Sequence, residues 1–221
     1  MKLVHTSINN IFEIKKNEIN SLVVENGKQF RNLVEELLCQ ADGENGGFTI
    51  SKNNIPIDFP QNVELICTIV PFDINRKTLL NRIISHLEKK TVEDDFYVDT
   101  INLLQHIEKY MDRLSEDFIG TFEYKKLNVA SVIKSIGLEI YDEYDSLAEE
   151  IIDYMELVRE FESKELFITI NLRSFLDDDE MENFISTAIS HEINLLMVEN
   201  KDYTVLKNEK RFTIDYDLCE F

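Results

Sequence analysis

Val63 to Val70 reads VELICTIV, a nearly continuous apolar run of strand length. A half-exposed strand alternates apolar and polar residues, because successive side chains point to opposite faces. A run without alternation has to be covered on both sides, as happens in sheets that carry helices on each face. The segment is therefore expected to be a central, doubly covered strand. An α/β architecture follows if helices separate it from further strands.

They do. Strand signals occur at Ile11 to Ile14 and Ile19 to Glu25. A helix is expected from about Lys28 to Gln40, where Phe30, Leu33, Val34, Leu37 and Leu38 form one apolar stripe. Asp42 to Gly47 reads as a hairpin turn before a strand that starts at Phe48. Later come a helix over about Ser146 to Phe161 and an apolar strand from Leu166 to Ile170. A helix over Asp177 to Ser190, a strand over Ile193 to Val198 and a final strand at Phe212 to Ile214 complete the alternation. Ser146 with Glu149, and Asp177 with Glu180, have capping-box spacing. Strand–helix alternation of this kind gives right-handed crossovers and a mainly parallel sheet.

Between Asn75 and Phe118 the period is helical throughout, first to about Lys90 and then from about Val92. The reading is an α/β head, residues 1–72 and 136–221, interrupted by a helical leg over residues 73–135.

Composition narrows the function. A formal charge of −20 argues against nucleic acid or anionic membrane as a default partner. Screening over about 8 Å still allows a local basic surface to act independently of an acidic exterior. No apolar run reaches the roughly 20 residues of a membrane span. Met1 to Asn10 lacks the basic start and apolar stretch of a signal peptide, so a cytoplasmic protein is expected. Cys39, Cys67 and Cys219 show no C-x-x-C spacing and are expected as reduced thiols in apolar settings.

The chemistry-bearing patterns are incomplete. Strand Leu22 to Val24, then Gly27-Lys28, then a helix, is the layout of a phosphate-binding loop. The position five before Gly27 is Leu22, and Gln29 stands where a magnesium-binding Ser or Thr belongs. Asn171 ends the Leu166 to Ile170 strand where a magnesium-holding Asp is expected. The pattern is that of a degenerate P-loop nucleotide-binding domain, with no nucleotide expected. Asp177 to Glu180 reads as a helix-capping run, and Asp42 to Gly47 lacks a calcium loop's twelfth-position Glu. His191-Glu192 lacks the second His of a zinc motif.

Several ordered segments nevertheless carry a resemblance. They are ADGEN at Ala41 to Asn45, VPFDIN at Val70 to Asn75, TLL at Thr78 to Leu80 and IKSIG at Ile133 to Gly137. KELFITIN at Lys164 to Asn171, FLDDDEME at Phe175 to Glu182 and LLMVEN at Leu195 to Asn200 complete the set. The chain resembles the small adaptation protein of type II-A CRISPR systems, over roughly Ile11 to Asn200. The resemblance implies a non-enzymatic homotetrameric ring with a lysine-lined hole that takes double-stranded DNA ends without sequence preference. It implies calcium sites, and as partners the CRISPR integrase proteins and the effector nuclease. Lys28, Arg31, Lys52, Arg76 and Lys134 are then the candidates for DNA phosphate, and Asp117 and Glu123 for calcium. Lys125-Lys126 stands in a stretch that is richly acidic in that family, where an ammonium could replace a calcium charge.

Two other classes compete. A divergent P-loop nucleotide hydrolase rests on Lys28. An acidic DNA mimic rests on the net charge.

Overall fold

The computed structural model describes residues 1–120 and 127–221. Main-chain contacts divide the chain into two units, residues 1–74 with 143–221, and residues 75–142.

The first unit contains two sheets. β1 (Lys2–His5), β2 (Ile8–Glu13), β4 (Phe48–Lys52) and β5 (Ile55–Ile57) form an antiparallel sheet in the order β2-β1-β4-β5. Asn53 and Asn54 both have positive φ, the geometry that joins β4 and β5 by a two-residue hairpin turn. β3 (Ile19–Val24), β6 (Val63–Ile66), β7 (Leu166–Ile170), β8 (Leu195–Glu199) and β9 (Glu209–Ile214) form the second sheet. Its order is β6-β7-β8-β3-β9 and every pairing is parallel. The architecture is thus α/β with a parallel sheet, and the antiparallel sheet is an addition that the sequence reading did not contain.

Period-two alternation sorts the parallel sheet into two faces. Leu22, Val24, Val63, Leu166, Ile168, Ile170, Leu196, Val198 and Ile214 share one core with Leu33 and Leu37 of α1 (Gly27–Ala41) and with Leu3, Phe12, Phe48 and Ile50 of the antiparallel sheet. The short α2 (Phe59–Asn62) adds Phe59 to it. On the opposite face lie α6 (Leu147–Glu162) and α7 (Asp178–Ser190), which pack on each other. The Tyr154 hydroxyl of α6 donates to buried Glu64 Oε1 of β6 at 2.5 Å.

Three expectations are corrected. VELICTIV is not a central strand: only Val63–Ile66 pairs, and β6 is the edge of the sheet. Helices cover both faces of β6, so its composition reads as central even though its outer edge has no strand. Beyond it Ile69 is buried while Cys67, Thr68 and Val70 are exposed, so the rest of the run anchors a loop. Asp42 to Gly47 is a helix-to-strand connection and not a hairpin turn. The Gln40 side chain pairs with both the N–H and the C=O of Phe48, each at 2.9 Å, in place of a strand neighbour. A Cβ on Gly47 would lie 2.6 Å from His5 Nε2, so this glycine is required by close approach. The three cysteines are exposed. Cys39 shows why: the inward positions of α1 are Leu33, Leu37 and Gln40, and Cys39 faces away from them.

The second unit is helical: α3 (Lys77–Lys90), α4 (Asp94–Ser115) and α5 (Val129–Ile136). α3 packs on α5. The Asn75 side chain accepts from Ile140 N at 2.6 Å and donates to Ile140 O at 2.9 Å, which ties residues up to 142 to the start of this unit. Among the described residues no helix is long and apolar enough to cross a membrane.

Candidate functional site

Parallel sheets bind ligands outside the carboxyl ends of their strands, where the strand order reverses. Here β6, β7 and β8 step toward β3, and β9 adds on its far side. Gly27-Lys28 lies at the carboxyl end of β3, at that reversal.

The geometry there is that of an ordinary helix start. Asn26 is the N-cap of α1, and its Oδ1 accepts from Lys28 N and Gln29 N, both at 3.1 Å. Its Nδ2 donates to Tyr216 O at 2.9 Å. Two of the backbone donors that a helix offers to a phosphate are thus held by the chain's own side chain. Leu22 is buried inside β3, and a Cβ at Gly27 would meet nothing within 4 Å. A glycine that cradles a phosphate needs the opposite, a crowded or left-handed backbone. Gly27→Ala is therefore expected to fold normally and to gain a few tenths of a kcal/mol, at most about 1, from the lower entropy of its unfolded chain. Thermal denaturation checks this; a loss exceeding about 1 kcal/mol would show that Gly27 answers a close approach after all.

The strands beside β3 end differently. Asn171, after β7, has φ of 54°, and its Oδ1 accepts from Asn200 N at 3.0 Å. Asp177 and Glu180 close a full capping box on α7, both bonds at 2.9 Å, so this part of the acidic run is engaged as a helix cap. Between these elements lies a buried charge network. The Arg173 side chain, 2% exposed, donates to Asp178 Oδ1 at 2.9 Å, to Thr204 O at 2.8 Å and to Glu209 Oε2 at 3.4 Å. Its guanidinium also stands 4.8 Å from the Tyr203 ring centre. Arg211 donates to Glu209 Oε1 at 3.0 Å and pairs with Asp202. Glu199, fully buried at the end of β8, accepts from Arg173 N at 3.3 Å through Oε1, and its Oε2 has no partner. Burial pushes its carboxyl up to about 7; the Arg173 N–H and charge and the Leu172 N–H oppose the shift, and Glu209 adds to it.

Of the candidate phosphate contacts, the structure brings Lys28 and Arg31 together, exposed and three apart on α1. Arg31 Nε is 3.8 Å from Glu35. Lys52, at the end of β4, is engaged by both carboxylate oxygens of Glu165, at 2.8 and 3.0 Å. Arg76 is the half-buried N-cap residue of α3, and Lys134 is exposed in the last turn of α5. Asp117 is exposed beyond α4, and Glu123, like Lys125-Lys126, lies outside the described residues. Among the described residues no three His, Cys, Asp or Glu side chains converge to hold a metal.

The Arg173–Glu209–Arg211 network was missed in the sequence. Its signal was parity: Glu199, Glu209 and Arg211 fall on the same side of their strands, Glu199 closing the apolar run of β8 and the other two opening β9.

The comparisons follow the same outline. A Pyrococcus furiosus chain described as an ABC transporter ATP-binding protein superposes with a TM-score of 0.41 at 8% identity, covering 96% of this chain and 97% of that one. A likeness at that level carries no weight, and the α/β assignment rests on the strand order. The CRISPR-associated protein Csn2 of Enterococcus faecalis is 23% identical over 202 residues, covering 88% of this chain and 87% of that protein. The family model described as CRISPR-associated protein (Cas_Csn2) matches residues 40–218. With most of its length matched, this chain belongs to the Csn2 family of CRISPR-associated proteins.

Proposed function

We propose that the chain is a non-catalytic protein that binds double-stranded DNA ends during CRISPR spacer acquisition, working as a homotetrameric ring. The observation that carries this reading is the family match over residues 40–218. The capped start of α1 agrees with it, since Asn26 occupies two of the donors a nucleotide phosphate would use. The net charge of −20 suits a closed assembly, in which an acidic exterior repels DNA and a smaller basic lining receives it. Binding of this kind is carried by phosphate contacts and carries no sequence preference. The integrase proteins and effector nuclease of the same system are its proposed partners, and the cytoplasm is its proposed location.

A gel shift with linear and covalently closed circular DNA of one sequence tests the reading. Linear DNA is expected to shift at low salt and the closed circle is not, because a ring needs a free end to thread. Equal shifts of both remove threading, and no shift of either removes the DNA role. Solution mass is expected at four chains; a persistent monomer sinks the ring. Repeating the mass measurement with added calcium tests whether the assembly uses that ion, and an unchanged assembly removes it.

A further inference from the structure

Charge is distributed unevenly along this acidic chain. Residues 76–90 hold Arg76, Lys77, Arg82, Lys89 and Lys90 against Glu88 alone, a formal +4 within a chain of −20. Nearly all of this stretch is α3, whose Leu79 and Ile84 are buried. Arg82, His86 and Lys89 are exposed and spaced i, i+4 and i+7, so they line one side of the helix, opposite buried Ile84 and continuing the stripe that Leu79 begins. Glu88 lies on a different face. Neither Arg82 nor Lys89 forms an ion pair among the described residues, unlike Lys15, Lys16, Lys52 and Arg159 of the first unit.

Helix stability does not account for this pattern. Cations in the last turn complement the negative end of the helix dipole, which covers Lys89 and Lys90. Arg82 stands mid-helix, where that effect has faded. Lys77 stands at the positive end, where a cation is unfavourable, and the first turn contains no acidic residue. A helix that keeps cations where they do not help it is serving something outside itself. At about 1.5 Å rise per residue, the row from Arg82 to Lys89 spans about 10 Å. That matches about three successive phosphates of one strand, at about 3.4 Å each along the duplex axis.

We infer that the exposed row Arg82, His86 and Lys89 on α3 is a contact surface for the phosphate backbone of duplex DNA. The inference rests on the DNA-binding reading above and names residues that reading does not include.

The test is fluorescence anisotropy with a labelled blunt duplex of about thirty base pairs, titrated at several salt concentrations. The proteins are the full chain, Arg82→Gln/Lys89→Gln, the charge-keeping Arg82→Lys/Lys89→Arg, and a control, Lys207→Gln/Lys210→Gln, with the same loss of charge. The neutral α3 variant is expected to bind about tenfold more weakly or worse, with its salt slope reduced by about 1.8 per bound chain. The charge-keeping variant and the control are expected to match the full chain. If the full chain binds and the neutral α3 variant binds equally well, or if the control loses as much, the inference falls and the DNA reading stands. If the full chain does not bind, both fall. Unchanged far-UV circular dichroism in the neutral variant excludes unfolding; if its helix is lost, the charge-keeping pair decides, and weak binding there counts against the row.

Discussion

Glu209→Ala is expected to remove about 3 to 5 kcal/mol of folding stability, the largest effect of any single substitution in the charge network. The Glu209 side chain is fully buried and accepts from two arginines, Arg173 and Arg211, whose side chains are 2% and 11% exposed. It also accepts from Leu206 N at 2.9 Å, which pins the segment between β8 and β9. Alanine would leave two guanidinium groups short of an anion and one backbone N–H without its acceptor. Removing one member of a buried pair costs about this much because the remaining charge stays desolvated and uncompensated. Replacing the whole network with apolar residues of similar volume is a different experiment and need not cost anything. Urea unfolding followed by far-UV circular dichroism measures the loss. A change below about 1 kcal/mol would mean that Arg173 finds enough in Asp178 and Thr204 O, and that Glu209 is dispensable.

The second large effect is a dependence on pH centred on Glu199. An ordinary glutamate titrates at 4.5, and burial raises this one to about 7. Between those values the folded chain keeps a proton that the unfolded chain has released. The folded state then binds more protons than the unfolded state, so stability falls as pH rises from about 4.5 to about 7 and levels off above. The contribution is on the order of 3 kcal/mol across that window. Glu199→Gln keeps the acceptor that Arg173 N uses and cannot ionise. The variant is expected to be the more stable of the two at pH 8, and to approach the native chain near pH 4.5. Taking the difference between the two chains at each pH cancels every other titrating group. A difference that stays flat from pH 4.5 to 8 would show that Glu199 is already ionised when folded.

Much of the fold was legible in the sequence because it depends on local periodicity. The stripe Leu33 and Leu37 placed α1 against a core, and the buried runs at β3, β7 and β8 lie within a residue or two of where their composition put them. The DDDE run was readable as a cap because Asp177 and Glu180 need only each other's backbone. Gly27-Lys28 was readable as a defective phosphate loop, since spacing alone shows that the early glycine and the hydroxyl are missing.

Other features needed long-range information. VELICTIV announces burial on both faces, but edge or centre depends on which strand arrives beside it, and residues 166–170 decide that from a hundred positions away. Lys52 looked like an available cation until Glu165 was found against it. The row on α3 was present as charges in the sequence, and it became a surface only when the three side chains were exposed and Ile84 was buried on the opposite side of the helix.

The sequence by itself determined the alternating strands and helices, the helical character of residues 77–115, the cap of α7 and the departure of Gly27-Lys28 from the phosphate-loop spacing. These are set by spacing within a few residues, where backbone geometry leaves few choices. The tertiary structure alone decided the strand order β6-β7-β8-β3-β9, the antiparallel sheet over α1, and the Arg173–Glu209–Arg211 network. Those depend on contacts between residues far apart in the chain, whose free energy comes from burying surfaces together, and no short stretch of sequence records which surfaces meet.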